Sequence, residues 1–346
     1  MPSRLNRWIA AGLEEWIKAT APEAALLLLR RKLRNHPELM SALTSYSDAV
    51  RNADLVVVTG MGGITDAFPV YASDLLKSLQ FAERLGTKFI LVGQGIGPLT
   101  TGPVGQLAAR ILPRAEMIAL REDFMSRLVL AELGVDESRI VTTGDDAIEV
   151  AFKQRPDRLG DMLGINLRAS DYSEVDDGLV SRIRAVLAQV VDDLDVRPVP
   201  VPISSVAGEE DLLTIERLFA GPGRALAAIG EHRTPDQVIK IVIQCRVLVT
   251  GSYHAAVFAC AIGVPTVCIA RSAYYEGKFR GLSSLFGPGC TFVLANHVDF
   301  EQRLDAAVRS LWGAAESTRR SLLERAETQI TSGHEAYERI RTDILR

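Results

Sequence analysis

A histidine follows directly after a short apolar strand, at the start of a helical run. Residues 246–250 (RVLVT) predict a buried strand, and an apolar run then continues to Gly263. Ser252 is placed to cap this helix, and His254 falls in its first turn. Free N–H groups at a helix N-terminus bind anions, and a histidine beside them can supply a proton. A core histidine satisfied by one backbone bond is the alternative.

Two glycine-rich turns each follow a predicted buried strand, at residues 54–59 and 88–93. Glycine lets the backbone bend sharply and approach a ligand closely. Tight packing explains such a turn equally well, so each turn alone is a weak signal. The turn residues that would line a cleft are Gly60, Gly62, Gly63, Gln94 and Gly95.

Charged side chains come at the ends of further predicted strands. Arg121, Asp146 and Arg168 each stand at such an end, and Asp66 closes the first glycine-rich turn. The carboxyl ends of parallel strands meet at one edge of a sheet, which is where ligands bind in open α/β folds. The strand ends therefore indicate a single crevice that carries both signs of charge.

Strands and helices alternate along the chain in two series. A charged segment with Pro156 separates the series and predicts a linker. Such alternation is typical of a doubly wound parallel sheet. We therefore predict an α/β protein of two Rossmann-like domains, residues 1–155 and 156–346, that face a central cleft. Two helices over residues 299–345 are expected to end the chain, and the last one is expected to pack back across the seam, the boundary between the two domains.

The N-terminal residues 1–52 predict an added helical segment. Its apolar positions recur on one face, which is typical of a helix that packs on its own domain. Trp8, Trp16 and the basic cluster at residues 30–34 allow a second interpretation, a peripheral contact with the inner face of a membrane. Acidic residues on the same segment weaken that interpretation.

Composition excludes several classes of protein. With 47% hydrophobic and 24% charged residues, the 346-residue chain is typical of a globular protein of two domains. A net charge of −4 and the lack of a basic block argue against nucleic-acid binding. Four cysteines without a Cys-x-x-Cys or Cys/His cluster predict neither a metal site nor a disulfide framework. With no signal peptide and no membrane span in the pattern, we expect a cytoplasmic enzyme.

Several sequence blocks, taken in order, resemble the polysaccharide pyruvyltransferase family. Each block is weak alone, but six in the right order are hard to obtain by chance, and together they cover residues 50–285. Lys278 follows the last block, as in the family. The blocks are residues 54–63 (DLVVVTGMGG), 93–98 (GQGIGP), 120–126 (LREDFMS), 146–147 (DA), 164–168 (GINLR) and 251–254 (GSYH).

The resemblance implies a fold similar to two-domain (GT-B type) glycosyltransferases. It also implies transfer of pyruvate from phosphoenolpyruvate, a co-substrate, to a sugar, glycan or lipid-linked glycan, usually as a ketal, without a cofactor. The chain departs from the family in two places. No segment matches the strand and Gly/Asn/Asp-rich loop that usually precede the Asp54 region, so either the start is truncated or the first sheet is built differently. The interval from His254 to Lys278 is longer than usual, which predicts a distinctive loop over residues 271–277.

The resemblance and the chemistry together suggest roles for these residues. Phosphoenolpyruvate carries a phosphate, a carboxylate and a methylene carbon that must be protonated, so its site needs cations and an acid. The donor anion is assigned to Ser252, Tyr253 and His254, with His254 as the general acid. Asp66 and Asp146 are candidate acceptor-side carboxylates, although capping is an alternative role for both. The cations predicted to clamp phosphate or carboxylate are Arg121, Arg168 and Lys278, and a structural salt bridge is the alternative for each arginine.

Two other functions remain open at this point. A glycosyltransferase that uses a sugar nucleotide would have the same fold, but it needs an acidic residue to hold a ribose, and none stands near His254. A non-catalytic relative that binds a partner as a scaffold is the other alternative, and the joint presence of Arg121, His254 and Lys278 argues against it. A homo-oligomer is compatible with either.

Overall fold

The computed structural model describes residues 27, 30–32, 34–169, 173–205, 210–219, 226–232 and 234–345. Their strands form two parallel sheets, which confirms the predicted α/β fold with two Rossmann-like units. Trp8 and Trp16, on which the membrane interpretation depends, lie outside the described residues. Among the described helices, none is both long enough and apolar enough to cross a membrane.

The first sheet has four strands in the order β1-β2-β3-β4. Every residue of β2 and β3 is buried, because helices or other elements cover both faces of these central strands. Helix α1, Pro37–Arg51, precedes this sheet. The elements are β1 Val56–Val58, α2 Pro69–Arg84, β2 Phe89–Gln94, α3 Pro103–Ile111, β3 Met117–Leu120, α4 Ser126–Glu132, β4 Ile140–Thr142 and α5 Ala147–Phe152.

The second sheet has five strands in the order β6-β5-β7-β8-β9. The chain leaves β5 on one side for β6 and returns on the other for β7, so the strand order reverses between β5 and β7. Ligands in open α/β sheets bind at such a reversal. The elements are β5 Met162–Asn166, α6 Asp177–Leu194, β6 Pro198–Pro200, α7 Asp211–Leu218, α8 Pro235–Val242, β7 Cys245–Thr250, α9 Tyr253–Ala261, β8 Thr266–Ala270, α10 Ala273–Phe286, β9 Cys290–Leu294 and α11 Phe300–Arg339.

Local sequence signals account for several of these boundaries. The proline-rich β6 lies at the edge of its sheet, where the ladder hydrogen bonds that proline cannot donate are not needed. Helix α8 begins with a capping box in which Thr234 accepts from the N–H of Gln237. Helix α9 stops before Gly263, whose φ of +83° is the left-handed conformation expected of a glycine stop.

The prediction of two helices over residues 299–345 is wrong. Helix α11 is continuous for 40 residues, and a short π-helical turn, Ile340–Ile344, follows it. A single helix forms because one buried stripe, which includes Leu304, Leu311 and Leu322, runs along the second sheet without interruption. No proline breaks the pattern.

The far end of this helix reaches the first sheet, as predicted. Ala336, Ile340 and Ile344 pack in one cluster with side chains of β2 and β3. The Lys88 Nζ donates a hydrogen bond to the carbonyl of Ile344 at 2.9 Å. The last helix therefore ties the two sheets together behind the cleft.

The predicted loop over residues 271–277 is also wrong from Ala273 onwards. Helix α10 begins there, after Ser272 accepts a hydrogen bond from the N–H of Tyr275 as its N-cap. Lys278 therefore stands on a helix, one turn after Tyr274. The division of the chain at residue 155 stays a prediction.

Candidate active site

Arg121 is the buried cation at the centre of the site. It follows β3, where its N–H donates to the carbonyl of Gln94 at 2.9 Å, and only 2% of it is exposed. Its Nη1 lies 3.5 Å from Asp145 Oδ2, and its guanidinium carbon lies 4.3 Å from the centre of the Tyr253 ring. Its Nε and Nη2 are buried and have no hydrogen-bond partner among the described residues. Because buried donors are normally paired, this edge of the guanidinium is suited to an anion that the protein itself does not supply.

The two glycine-rich turns pack directly against this guanidinium. A Cβ at Gly62 would lie 2.2 Å from Arg121 Nη2, and one at Gly95 would lie 2.7 Å from Arg121 Nε. Both contacts are closer than real Cβ atoms approach other atoms. Gly60 and Gly93 let the two turns approach each other in the same way. A Cβ at Gly93 would lie too close to the Asp146 carboxylate. Close approach to Arg121 thus explains the glycines at Gly62 and Gly95.

Gly63 and Gln94 hold the same turns in a different way. The missing side chain of Gly63 leaves room for the ring of Tyr71, 2.5 Å from where a Cβ would stand. The buried Gln94 amide donates to the carbonyls of Val58 and Val92, at 3.3 and 2.9 Å. Its Oε1 is buried and accepts no hydrogen bond from any residue that the structure describes. These two residues shape the loops that surround Arg121.

Lys278 reaches the same place from helix α10. Its Nζ donates to the hydroxyl of Tyr274 and lies 3.7 Å from the centre of that ring. Burial, and then the nearby positive charge of Arg121, lower the pKa of Lys278 well below its usual range, although Asp145 opposes the shift. An arriving anion would reverse this effect, because it would neutralise the repulsion between the two cations.

His254 is the second residue of helix α9. Half of its side chain is exposed, and its Nε2 lies 4.0 Å from Asp145 Oδ2. Burial of the ring lowers the pKa of His254; Asp145 opposes this, while Arg121 and Lys278 add to it. The empty site therefore favours the neutral imidazole. Bound negative charge would raise the pKa of His254 and let the ring carry a proton.

The N-terminus of α9 lies at the reversal point of the second sheet. The Thr250 hydroxyl bonds Asn166 of β5 at 2.9 Å and accepts from the N–H of Ser252 at 2.8 Å. Ser252 occupies the N-cap position, but its side chain makes no capping hydrogen bond, so the predicted cap is wrong. The hydroxyl of Tyr253 is buried and finds no partner in the described ranges of the chain. The first turn of α9 thus presents its positive end to the cleft without a side-chain cap.

Arg168 is engaged elsewhere. Its Nε bonds Asp211 Oδ1 at 2.6 Å, and Asp211 is fully buried. The same carboxylate accepts from the Asn166 side chain and from the N–H groups of Ile203 and Ser204. This geometry agrees with the alternative role of Arg168, which is a structural salt bridge at the strand end.

The two predicted acceptor-side carboxylates lie apart from Arg121. Asp66 Oδ2 accepts from the N–H of Thr100 at 2.6 Å, so it orders the loop after β2. Asp146 is exposed and accepts from the Tyr337 hydroxyl at 3.5 Å. Neighbouring protein atoms keep part of the water away from its carboxyl, and this partial desolvation, followed by the charge of Asp145, raises the pKa of Asp146. Neither aspartate caps a helix with its side chain.

Sequence reasoning missed two residues of this site, Asp145 and Tyr274. Asp145 contacts Arg121 and approaches His254, whereas the prediction chose its neighbour Asp146. Both aspartates follow β4, and only the backbone path decides which carboxylate enters the seam. Tyr274 lies one helical turn before Lys278, but the prediction of a loop over residues 271–277 concealed this spacing.

The arrangement therefore joins three positive elements at one seam: the guanidinium of Arg121, the nitrogen of Lys278 and the first turn of α9. Two of them come from the second unit and one from the first. His254 stands beside them with half of its ring exposed. Such a group of cations can hold a small molecule with two anionic groups and protonate it.

Comparisons with known proteins agree with this geometry. A search of curated sequences finds no significant match. The fold is similar to a UDP-N-acetylglucosamine 2-epimerase from Listeria monocytogenes (described as putative), with a TM-score of 0.59, 12% identity and coverage of 86% of this chain and 78% of that one. It is also similar to the Neisseria meningitidis UDP-GlcNAc 2-epimerase (TM-score 0.58, 11% identity, coverage 87% and 80%) and to the Anabaena protein HepE (0.55, 11%, 88% and 83%). At such identities these likenesses establish the GT-B type fold alone.

The model of the family described as "Polysaccharide pyruvyl transferase" matches residues 6–273. This match covers well over half of the chain and begins before the Asp54 block on which the resemblance was first based. It includes Arg121 and His254 and ends before Lys278. The protein is thus a transferase, and it belongs to the polysaccharide pyruvyl transferase family.

Proposed function

We propose that this protein transfers the pyruvate group of phosphoenolpyruvate to two hydroxyls of a sugar or glycan, forming a ketal and releasing phosphate. The observation that carries the proposal is the buried Nε–Nη2 edge of Arg121. Within the part of the chain that the structure describes, this edge has no partner, and it lies beside Lys278 and the first turn of α9. A guanidinium edge of this kind matches a carboxylate or a phosphate with two parallel hydrogen bonds.

Charge balance supports a donor with two anionic groups. Of the carboxylates in the described residues, Asp145 alone forms an ion pair with Arg121, and Lys278 donates to a neutral hydroxyl. The site therefore has more positive than negative charge whenever Lys278 is protonated. Phosphoenolpyruvate would place its carboxylate and phosphate among Arg121, Lys278 and the N–H groups of Tyr253 and His254. The Nε and Nη2 of Arg121 would then gain acceptors, and Lys278 would gain a charged partner beside the Tyr274 hydroxyl.

His254 is suited to protonate the donor. Binding of the anion raises the pKa of the ring, and Asp145 stabilises the imidazolium that results. The proton goes from Nε2 to the methylene carbon, which becomes a methyl group, and the neighbouring carbon becomes oxocarbenium-like. A sugar hydroxyl then forms a C–O bond at that carbon and gives up its proton.

A second hydroxyl completes the reaction. It forms the other C–O bond of the ketal while the bond to phosphate breaks and phosphate leaves. Of the two hydroxyl protons, one replaces the proton that His254 gave up and the other leaves with phosphate, so the step is balanced without electron transfer. Asp146 is the candidate to take up the first hydroxyl proton, because its pKa is raised above its ordinary value.

The test combines ligand binding with phosphate release. The thermal unfolding of purified wild-type protein is measured with and without millimolar phosphoenolpyruvate. In a separate assay on native protein, phosphate release is measured with glycans that carry free diol pairs. A ligand at about 100 times its dissociation constant stabilises the native state by about 2.7 kcal/mol, which is readily measured. We expect a shift in the wild type and a smaller one in His254→Ala.

His297 provides a matched control. It is 47% exposed and lies 3.8 Å from Asp299, much as His254 is 50% exposed and lies 4.0 Å from Asp145. His297→Ala should keep the full shift with phosphoenolpyruvate. A shift with UDP-N-acetylglucosamine and none with phosphoenolpyruvate would overturn the proposal in favour of a sugar-nucleotide transferase.

A further inference from the structure

One tyrosine bridges the two units beside the anion site. Tyr274 is on helix α10 of the second unit, and its hydroxyl donates to the carbonyl of Gly62 in the first at 3.1 Å. Its ring packs edge-on against Phe68, also from the first unit, with centres 5.6 Å apart and planes at 87°. Only 7% of Tyr274 is exposed. The residue is thus held from both sides of the cleft.

The direction of these hydrogen bonds orients the hydroxyl. A tyrosine hydroxyl has one proton to donate, and here that proton goes to Gly62. The lone pairs of the oxygen are then left for a donor, and the Nζ of Lys278 donates to them. Gly62 also packs against Arg121 Nη2, so the same turn contacts both cations.

We propose that Tyr274 is a positioning residue, which uses its bond to Gly62 to fix the Lys278 nitrogen beside Arg121. The inference rests on the proposed function, because it assigns Lys278 to the donor anion. It adds a residue from the seam that does not itself touch the donor. If the two units separate, the Tyr274 hydroxyl loses its hydrogen bond to the Gly62 carbonyl. The Lys278 nitrogen then loses the acceptor that this bond holds in place.

The hydrogen bond also acts on the charge of Lys278. A hydroxyl that accepts from an ammonium group stabilises the charged form and so raises its pKa. Burial and Arg121 act in the opposite direction on Lys278, and Asp145 acts with the hydroxyl. The face of the Tyr274 ring, 3.7 Å from Nζ, favours the cation as well. The charged or titratable groups that face Lys278 are Arg121, Asp145, Tyr253, His254, Tyr274 and Tyr275.

Replacing Tyr274 by phenylalanine isolates the hydroxyl. The variant keeps the ring, its packing on Phe68 and its face towards Lys278. The pKa of Lys278 is measured by competitive acetylation with acetic anhydride over a range of pH, followed by mass spectrometry of the Lys278 peptide. This readout requires no donor and no turnover, so it holds whether or not phosphoenolpyruvate is the substrate. We expect the pKa of Lys278 to fall by about one unit in Tyr274→Phe, as loss of one hydrogen bond to a charged group predicts.

Tyr275→Phe is the control, since it makes the same change at the next residue, whose ring centre is 5.7 Å from Nζ. Its Lys278 pKa should equal that of the wild type. In Tyr274→Gln, whose amide can both donate and accept, the pKa of Lys278 should return towards the wild-type value. This variant also replaces Tyr274→Phe if Tyr274→Phe does not fold. Equal Lys278 pKa values in the wild type, Tyr274→Phe and Tyr275→Phe would overturn the proposal. It would also be overturned if the Lys278 pKa in Tyr274→Gln were no closer to the wild-type value than the Lys278 pKa in Tyr274→Phe.

A kinetic readout separates this proposal from the function on which it rests. If the wild type uses phosphoenolpyruvate, kcat/KM for that donor should fall about tenfold in Tyr274→Phe, and its alkaline limb should move to lower pH with the Lys278 pKa. If the wild type does not turn over phosphoenolpyruvate, the proposed function fails. The acetylation result still decides the role of Tyr274.

Discussion

Arg121 and Arg168 make an informative comparison, since each follows a parallel strand, one in each sheet, and each faces an aspartate. The Asp211 carboxylate of the second unit is fully buried and accepts from Arg168 at 2.6 Å and from several further donors. Asp145 of the first unit lies 3.5 Å from Arg121 and leaves two buried donors of that guanidinium unpaired. The same residue type after a parallel strand is thus saturated in one case and open in the other.

The difference shows how an anion site and a structural ion pair can be told apart. A saturated buried pair stabilises the fold because each charge has its partners, and removing one of them leaves a buried group unpaired. An open buried guanidinium is unfavourable in the empty protein and becomes favourable when a ligand supplies the missing acceptors. Mutations should therefore affect stability at Asp211 and activity at Arg121.

The largest effect is expected for the saturated pair. Asp211→Ala removes the acceptor of Arg168 and of several other donors, so the free energy of unfolding should fall by about 3–5 kcal/mol. Urea denaturation followed by circular dichroism measures this loss. Asp299→Ala, which breaks an exposed pair with Arg303, is the control and should lower the same quantity by less than about 1 kcal/mol. Equal losses in the two variants would contradict the assignment of Asp211 as structural.

The second effect concerns the open arginine. Arg121→Lys keeps a positive charge near Asp145 but removes the planar edge of two donors, so kcat/KM for phosphoenolpyruvate should fall about 100- to 1,000-fold. Initial rates of phosphate release give this ratio. Arg168→Lys makes the same substitution at the saturated pair and should lower kcat/KM by about tenfold or less. An equal loss in the two variants would show that Arg168 also holds the donor.

A methyl group placed against Arg121 sharpens the comparison. The Cβ of Gly62→Ala would lie 2.2 Å from Nη2 and within 3.2 Å of Lys278 Nζ, both at the ends of flexible side chains. Those side chains can move, so the free energy of unfolding should fall by only about 1 kcal/mol while kcat/KM falls at least about tenfold. Both are measured as above.

Gly230→Ala is the matched control for this variant. A Cβ at Gly230 meets no atom within 4 Å, so neither stability nor kcat/KM should change beyond about a factor of two. If Gly62→Ala lost stability by several kcal/mol at unchanged activity, the Gly62 turn would serve the fold and not the anion site.

The smallest effect is a pH dependence of donor binding. The pKa of Lys278 lies well below its usual range in the empty site, so Lys278 loses its charge as the pH rises through that lowered value. The dissociation constant of phosphoenolpyruvate should therefore increase by up to about tenfold per pH unit above that pKa. Isothermal titration calorimetry in two buffers should also detect proton uptake on binding.

Lys278→Arg tests the cause, because arginine keeps its charge across this range. The alkaline increase in the dissociation constant should disappear in that variant. Lys88→Arg, on the far side of the first sheet beside Ile344, should keep it. An unchanged alkaline limb in Lys278→Arg would assign the titration to another group.

Much of the fold could be predicted because its signals are local. The strands before Gly60, Gly95 and Arg121 are short apolar runs that end in turn residues, and the capping box at Thr234 and the glycine stop at Gly263 depend on residues a few positions apart. The predictions that are wrong also have physical reasons. A 40-residue helix was divided in two because its continuity depends on packing against the second sheet, which no local pattern records.

Local sequence patterns are sufficient to predict the α/β alternation, the glycine turns, Arg121 at the end of a strand and His254 at the start of a helix. Long-range packing is needed to show that Arg121 is open while Arg168 is saturated, that Asp145 enters the seam in place of Asp146, and that Tyr274 bonds Gly62. The reason is distance along the chain. Hydrogen bonds between residues as far apart as Gly62 and Tyr274 depend on how two sheets dock, and single residue types do not encode that geometry.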